Sequence, residues 1–294
     1  MPECTARPDV GRDTALDLTG PAWNRLTRLK GKDEVFARDL HAREAWATLT
    51  SVLGDDGAYD FAGRVGVMWV RPDAFAAGTA RQVLTAAKKA AFRPLAARPV
   101  RVDRCGVRAL WAYMCRWATV ERLRLLDALV ALGPGLLVLW ADETGEPTSV
   151  RLSAVKGSNA PHRRRTGTSL RDVAGAPNRL LTMVHTADEP ADVIRELGVF
   201  CPWPERAALV TEAARTLADG APCPLEETVV AVESELPPLG VPEPCTAPAL
   251  DGLTDGPLAQ RWAALWAASH QWPLLTRAPG PAAWPEQEAR SPWR

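Results

Sequence analysis

The stretch that decides the fold is residues 157–200, GSNAPHRRRTGTSLRDVAGAPNRLLTMVHTADEPADVIRELGVF. Its basic loop, residues 161–177, leads into the apolar run LLTMV at 180–184, a pattern that predicts a buried strand. That strand delivers His185 at its C-terminal end. Asp188, a candidate N-cap, and Pro190 then predict a helix that continues to Gly198. A histidine placed between arginines and a helix N-terminus, where backbone N–H groups favour phosphate, is suited to accept a phosphoryl group.

Upstream of this stretch, strand and helix patterns alternate. Residues 65–70 predict a first strand and residues 76–91 the helix after it. Residues 92–102 predict an edge strand, because Pro94 and Pro99 cannot donate hydrogen bonds to a ladder. Residues 107–132 predict helical structure, and the continuous apolar run at 136–140 predicts a buried strand. This alternation predicts an α+β fold of the ferredoxin-like type, an antiparallel sheet with helices on one face.

Two blocks of the chain resemble the nucleoside diphosphate kinase family. Members carry a loop of the form NPADSKPGTIRGD, then a strand ending in N-x-x-H-G-S-D-S and a helix ending in E-I-x-x-W-F. Separately, VMWVRPDAF at residues 67–75 is similar to the family's first-strand motif V-M-I-K-P-D-A-V. The two blocks follow one another in the family's order, and the resemblance covers about residues 62–200. In the block that comprises the loop, the strand and the helix, the matched positions are Pro161, Gly167, Thr168, Asp172, His185, Asp188, Glu196 and, one residue early, Phe200.

The resemblance implies a phosphotransferase that works through a histidine. His185 falls at the position that is phosphorylated in the family, and Glu196 at the glutamate that orients the imidazole through its other nitrogen. A neutral imidazole would take the γ-phosphoryl group of ATP or another nucleoside triphosphate and pass it to a diphosphate. Mg²⁺ would be held by the nucleotide phosphates rather than by a protein cage. The plain alternative is a core histidine at a strand end.

The expected phosphate and nucleotide contacts depart from the family pattern. Arg71 stands where the family has its catalytic lysine, so a planar, forked cation replaces a compact ammonium. Tyr113, with Trp111 beside it, is the better candidate for the tyrosine that positions this lysine, and a surface helix residue is the alternative. Thr182 stands where an asparagine contacts the ribose, and Ala187 where a serine supports the histidine.

The loop before the histidine supplies further candidates for nucleotide and phosphate binding. Thr168 matches the loop threonine of the family. Arg171 lies one residue from the family's phosphate-binding arginine, and Arg151 lies near the site of the other. A bidentate guanidinium suits the β- and γ-phosphate oxygens. For the arginines at 163–165, a solvated basic loop is the favoured alternative.

Composition narrows the class of protein. The 294 residues carry a formal net charge of zero, so no global field recruits nucleic acid or an anionic membrane. The six cysteines show no C-x-x-C spacing, which indicates neither a zinc site nor a disulfide framework. No apolar run reaches membrane-spanning length, and the N-terminus lacks a signal-peptide core. We therefore expect a cytoplasmic protein that binds neither nucleic acid nor membrane. The resemblance to the family implies a nucleotide as its ligand.

Three segments divide the chain. Residues 1–60 form an N-terminal extension with one predicted amphipathic helix at 32–53, closed by a turn at 54–57. Residues 61–200 form the nucleoside diphosphate kinase-like domain. Residues 201–294 form a C-terminal extension rich in proline and tryptophan, with helices predicted at 205–218 and 260–266. We expect the tryptophans of these extensions to pack against the central domain or a partner, and a homo-oligomer is possible.

Three functions remain open from the sequence. The first is a divergent phosphotransferase acting through His185. The second is a catalytically weak relative that binds a nucleotide or a partner protein. The third is a specialised biosynthetic enzyme that uses the same pocket for another phosphate or nucleotidyl reaction. Retention of His185 with Glu196 favours the first or third, whereas loss of the lysine, asparagine and serine favours the second or third.

Overall fold

A computed structural model of the chain describes residues 23–115, 118–142, 144–158, 166–243 and 252–271, and for residues 23, 113 and 114 it describes the backbone alone. After a short 3₁₀ turn at Trp23–Arg25, the helices and strands of the described residues follow one another along the chain. They are α1 (Lys32–Phe36), α2 (Leu40–Arg64), β1 (Val65–Val70), α3 (Pro72–Ala76), α4 (Ala80–Lys89), β2 (Arg93–Val100), α5 (Arg104–Leu110), α6 (Ala112–Cys115), α7 (Val120–Val130), β3 (Gly135–Ala141), α8 (Thr148–Lys156), α9 (Leu170–Val173), β4 (Val184–Thr186), α10 (Pro190–Phe200), α11 (Trp203–Asp219), α12 (Leu225–Glu235) and α13 (Leu258–His270).

The four strands form one antiparallel sheet in the order β2-β3-β1-β4. β1 lies between β3 and β4, pairing Val67 with Leu139 on one side and Trp69 with His185 on the other. β2 is an edge strand, the position in a sheet where prolines such as Pro94 and Pro99 are tolerated. This strand order, with helices connecting the strands, confirms the predicted α+β, ferredoxin-like class.

Helices cover both faces of this sheet, so the structure adds a second helical layer to the predicted one. Every residue of β1 and β3 is buried. A Cβ at Gly66 would lie 3.1 Å from Leu152 of α8, whereas the Trp69 ring lies 5.6 Å from that of Phe200 on α10. Since residues three apart on a strand point to opposite faces, α8 and α10 lie on opposite faces. The uninterrupted apolar run of β3 is the sequence signal for this double burial.

The strand before the histidine is shorter than predicted. β4 starts at Val184 and contains His185 as its middle residue, so a strand across residues 180–184 is wrong for all but its last position. Residues 180–183 are buried without being part of the sheet. Met183 has a positive φ of 62°, which turns the backbone out of strand geometry.

Helix boundaries also differ from the prediction. The predicted helix at 32–53 is two helices, and no loop follows it: at Gly54 (φ 74°) the chain kinks and α2 continues to Arg64, directly before β1. The helical stretch at 107–132 is divided among α5, α6 and α7. The proline-rich segment after residue 222 contains α12, which the composition did not indicate. Prolines flank that helix rather than interrupt it.

The N-terminal extension docks on the first turn of α10. Lys32 Nζ lies 2.5 Å from Glu189 and 2.7 Å from Asp192, and the hydroxyl of Thr27 donates to Glu189 as well. Burial raises the pKa of Asp192 to about 6, despite the ammonium of Lys32. Further along the same helix, Arg195 pairs with Asp39 at 2.8 Å. These contacts tie residues 27–39 to the helix that carries Glu196.

The C-terminal extension packs on the central domain and on α2. Arg93 of β2 donates to the carbonyl of Thr216 on α11 at 3.1 Å, and Asn178 donates to the hydroxyl of Ser269 on α13 at 3.0 Å. Arg206 of α11 is buried and donates to Thr48 Oγ1 at 2.9 Å and to the carbonyl of Cys201 at 3.0 Å, which joins α11 to α2 and to the end of α10. Trp262 of α13 is buried, with its indole N–H 2.7 Å from the carbonyl of Gly240. Among the described helices, none has the length and apolarity needed to cross a bilayer.

Candidate functional site

His185 and Glu196 form the centre of the candidate site. Nε2 of His185 lies 2.8 Å from Oε1 of Glu196, and both side chains are largely buried, at 15% and 8% exposure. β4 fixes the histidine through its pairing with Trp69 of β1. Pro190, at the first position of α10, begins the helix that carries Glu196 back toward the sheet.

Aromatic rings line the site on one side of the imidazole. The Trp111 ring meets it edge-on, with centroids 5.8 Å apart. Trp69 lies next to Trp111 at 6.3 Å and next to Phe200 at 5.6 Å. Because Trp111 is only half-buried, it forms the outer wall of the site, whereas Trp69 forms its floor.

Arg71 lies behind this aromatic wall with its guanidinium turned inward. Its side chain is 2% exposed and donates to the carbonyl of Leu180 at 3.0 Å and to Thr182 Oγ1. The guanidinium carbon lies 5.4 Å from the Trp111 ring centroid and 5.8 Å from that of Trp69. The structure therefore places Arg71 one ring away from His185, with its donors directed at the segment that precedes the histidine.

Asp73 completes this buried group. Its Oδ1 lies 3.3 Å from Arg71 Nε, and its Oδ2 accepts a hydrogen bond from the Met183 amide at 3.0 Å. Burial raises the pKa of Asp73 above its ordinary value, although Arg71 and the amide favour the charged form. Burial also lowers the pKa of Arg71, which Asp73 opposes. The pair therefore occupies an apolar environment in which each charge depends on the other.

A second charged group lies beside β4. Lys156, at the end of α8, is buried, and its ammonium lies 2.9 Å from Asp188 and 3.3 Å from the carbonyl of Thr186. Ser153 donates to the same carboxylate. Burial lowers the pKa of Lys156, against the effect of Asp188. Desolvation opposes the charge of Asp188, but Lys156 and the Ser153 hydroxyl outweigh it and hold the pKa of Asp188 below its ordinary value.

Two more of the predicted residues lie close to His185. Thr182 is buried three residues before it and accepts from Arg71. Arg171 donates to the carbonyl of Val184 at 3.3 Å and to that of Gly157 at 2.9 Å. Arg171 therefore links the end of α8 to the strand that bears the histidine.

Arg151 and Thr168 lie apart from this group. Arg151 pairs with the buried Asp142 at 2.7 Å and lies 4.4 Å from the Phe92 ring centroid. Thr168 bonds to Thr166, hydroxyl to hydroxyl, at 3.0 Å. Thr168 lines an open cleft of about 520 Å³ whose walls are Ala90, Ala154, Val155, Gly157, Ser158, Thr166, Thr168 and Ser169.

Other predicted features lie outside the described residues. The side chain of Tyr113 is among them, as are the arginines at 163–165 and the loop proline at 161. Of the two aromatic candidates on that helical stretch, Trp111 is the one whose contacts with Arg71 and His185 are described. No three His, Cys, Asp or Glu side chains converge on a common point within the described ranges.

Sequence reasoning assigned no role to Asp73 or Lys156. Asp73 belongs to the R-P-D triplet of the first-strand motif, so the sequence matched its position but did not predict its role. Lys156 follows an apolar helix and precedes Gly157, a place where a lysine is ordinarily a solvated residue of the last helical turn. Nothing in the local pattern signals that its ammonium is buried.

No protein-family model matches this chain, and no curated protein matches it. Among solved structures, the chain is similar to the crystal structure of an NDP kinase from Pyrobaculum aerophilum. The identity is 16% and the TM-score 0.39, and the alignment covers 47% of this chain and 96% of that one. A likeness at this level carries no argument about activity. The fold assignment rests on strand order, and the site on its own geometry.

Proposed function

We propose that this protein is a divergent phosphotransferase of the nucleoside diphosphate kinase type, with His185 as the residue that carries the phosphoryl group. The observation that supports it is the 2.8 Å contact between His185 Nε2 and Glu196. Nδ1 has no hydrogen-bond partner among the described residues, and the side chain keeps 15% of its surface exposed. One nitrogen is thus held by a carboxylate while the other is available to a reactant.

The carboxylate selects the reactive tautomer. With the proton on Nε2 donated to Glu196, Nδ1 keeps its lone pair and acts as the nucleophile. Nδ1 attacks the γ-phosphorus in line, the bond from phosphorus to the bridging oxygen breaks, and the nucleoside diphosphate leaves. The positive charge that develops on the ring faces Glu196. A second diphosphate then takes the phosphoryl group by the reverse of these steps.

A nucleoside triphosphate is the proposed donor, with Mg²⁺ bound to its phosphates. We assign the metal no ligands from this chain, because a nucleotide-borne Mg²⁺ keeps its water and phosphate ligands. Glu196 is already paired with His185, and Asp188 with Lys156. Among the described residues, two cations donate to backbone carbonyls of the histidine strand: Arg171 to Val184 and Lys156 to Thr186.

One observation favours a second function, a protein that binds a nucleotide or a partner without turnover. Arg71, which stands where the family has its lysine, is 2% exposed and directs its donors into the protein. A site that lacks an accessible cation at this position binds a triphosphate less strongly and stabilises less of the transition-state charge. A third function, another phosphate or nucleotidyl reaction in the same pocket, retains the histidine and changes the acceptor.

Labelling with γ-³²P ATP and Mg²⁺ tests these functions. Wild-type protein should gain an acid-labile, base-stable label that His185→Ala loses and His270→Ala keeps. His270 is a matched control, because it is exposed at the end of α13. Chase of the label into added diphosphates supports the proposed function, and label that does not chase supports the third. Nucleotide binding with no label in any variant would contradict phosphotransfer and support the second.

A further inference from the structure

The backbone makes a strained turn immediately before His185. The amide of Val184 donates to the carbonyl of Thr182 at 2.6 Å, so the hydrogen bond spans a single residue, Met183. Met183 has a φ of 62°, in the left-handed region that favours glycine. A tight turn centred on a non-glycine residue with positive φ is rare, and it persists only where neighbouring groups hold it.

The segment after β1 binds the amide and the carbonyl of Met183, the central residue of this turn. The Arg71 amide donates to the carbonyl of Met183 at 3.0 Å, and Asp73 accepts from the Met183 amide at 3.0 Å. Pro72 between them begins α3, which fixes the direction in which the Asp73 carboxylate points.

The guanidinium of Arg71 holds the residues on the approach to the turn. It donates to the carbonyl of Leu180 and to the hydroxyl of Thr182, while its remaining nitrogen, Nε, lies 3.3 Å from Asp73. Its face lies over the indoles of Trp111 and Trp69. Since Trp111 also contacts the imidazole edge-on, the same guanidinium supports His185 from the ring side and from the backbone side.

We propose that Arg71 and Asp73 are positioning residues that clamp the Met183 turn and so fix the imidazole of His185 for reaction. This proposal rests on the proposed function and assigns Arg71 a task other than neutralising phosphate. A side chain that binds phosphate must direct its donors at the nucleotide. The guanidinium of Arg71 is buried instead, and its donors are directed at Leu180 and Thr182.

The two roles for Arg71 make opposite predictions for lysine. The family carries a lysine at this position, and an ammonium binds phosphate as a compact cation, so a lysine facing the nucleotide would serve at least as well as arginine. It has three donors but no planar fork, so it does not reproduce the geometry in which the guanidinium bonds to Leu180 and Thr182 and lies over two indoles. Arg71→Lys therefore distinguishes two roles of Arg71: a positive charge that faces the nucleotide, and a planar set of donors that holds the backbone.

The experiment compares wild type, Arg71→Lys, Thr182→Val and the control Arg81→Lys. Arg81 is exposed on α4, where it pairs with Glu226 and Glu233. Three quantities are measured: the single-turnover rate of His185 labelling at saturating Mg-ATP, the Kd of the nucleotide, and the ¹H–¹³C NMR signals of the His185 ring. The sequence has four histidines, and His185→Ala identifies the signals of this one. Circular dichroism establishes that each variant is folded.

We expect Arg71→Lys to slow labelling by about 10-fold to 100-fold, because small displacements of a reacting group have effects of this size. Its nucleotide Kd should stay within about twofold of wild type, and its His185 ring signals should shift. Thr182→Val should change the rate and the ring signals in the same direction, and Arg81→Lys should leave both unchanged.

A labelling rate in Arg71→Lys that equals or exceeds that of wild type would overturn the proposal. So would unchanged ring signals in both Arg71→Lys and Thr182→Val. If wild-type protein takes no label at all, the proposed function fails, yet the ring signals still decide whether Arg71 positions His185. If Arg71→Lys does not fold, Thr182→Val supplies the same comparison, since it removes one of the two acceptors of the fork.

Discussion

The contact between His185 Nε2 and Glu196 Oε1, 2.8 Å long, joins two consecutive elements, β4 and α10. Eleven residues of chain leave the sheet, turn into a helix and return a carboxylate to the ring. Any change in the path of α10 therefore acts on the imidazole through this contact.

Glu196→Gln should slow labelling of His185 by about 10²-fold or more, because an amide does not select the tautomer with the proton on Nε2. The free energy of unfolding should stay close to that of wild type, since the amide keeps the size of the carboxyl group. The measurement is the single-turnover labelling rate beside a urea titration. Glu226→Gln, an exposed control, should match wild type in both. Equal rates in Glu196→Gln and wild type would remove the tautomer role.

Gly198→Ala should destabilise the protein by about 1–3 kcal/mol, the range for inserting an atom into a packed interface. A Cβ at Gly198 would lie 2.1 Å from the carbonyl oxygen of His41, so α10 and α2 would have to move apart. The matched control is Gly63→Ala, because Gly63 is also helical and its Cβ would meet nothing within 4 Å. Urea denaturation should place this control at or above wild-type stability. A Gly198→Ala protein as stable as Gly63→Ala would contradict the close helix contact.

Trp262→Ala should lower the free energy of unfolding by about 3–5 kcal/mol, whereas Trp203→Ala should change it by under about 1 kcal/mol. Trp262 is 1% exposed and donates to Gly240, and Trp203 is 64% exposed at the start of α11. Both tryptophans lie in the C-terminal extension, so a difference between the two variants reports how deeply each side chain is buried and not which segment carries it. Equal losses for the two variants would show that α13 does not dock as described.

Asp192 gives the protein a specific pH dependence. Its pKa is raised from 3.8 to about 6 in the folded state, first through burial, so the folded protein holds a proton that the unfolded chain releases. The stabilisation from this group is complete below about pH 4 and is lost as the pH rises through about 6. Relative to Asp192→Asn, wild-type protein should therefore lose up to about 3 kcal/mol between those limits.

Urea titrations at a series of pH values measure that difference. Lys32, Glu189, Asp188 and Glu196 face the same carboxyl and are present in both proteins, so their own titrations largely cancel. A difference between wild type and Asp192→Asn that does not vary with pH would contradict the raised pKa.

The sequence contained enough to predict the two central strands of the sheet. The continuous apolar run of β3 and the motif of β1 predicted the two central strands correctly, because a strand that is buried on both faces appears in the sequence as a continuous apolar run. The meeting of His185 with Glu196 was expected only through the resemblance to a family. Their spacing alone does not state that a helix folds back on the strand.

Other features of the site have no local signal. The turn at Met183 uses a positive φ at a residue that favours negative values, and its backbone is contacted by Arg71 and Asp73, more than a hundred positions away. The inward direction of the Arg71 guanidinium depends on the indoles of Trp69 and Trp111 for the same reason. Long-range packing decides such choices, and residue type at one position does not.

The bridge from Lys32 to Glu189 and Asp192 has a practical consequence for anyone who expresses the central region alone. A fragment starting at residue 61 would leave two neighbouring carboxylates at the head of α10 with no cation between them, and Arg195 would lose Asp39. Mutual repulsion of these acids would loosen the helix that presents Glu196. Minimal fragments of this protein should therefore begin before residue 27, so that the hydroxyl of Thr27 is retained as well.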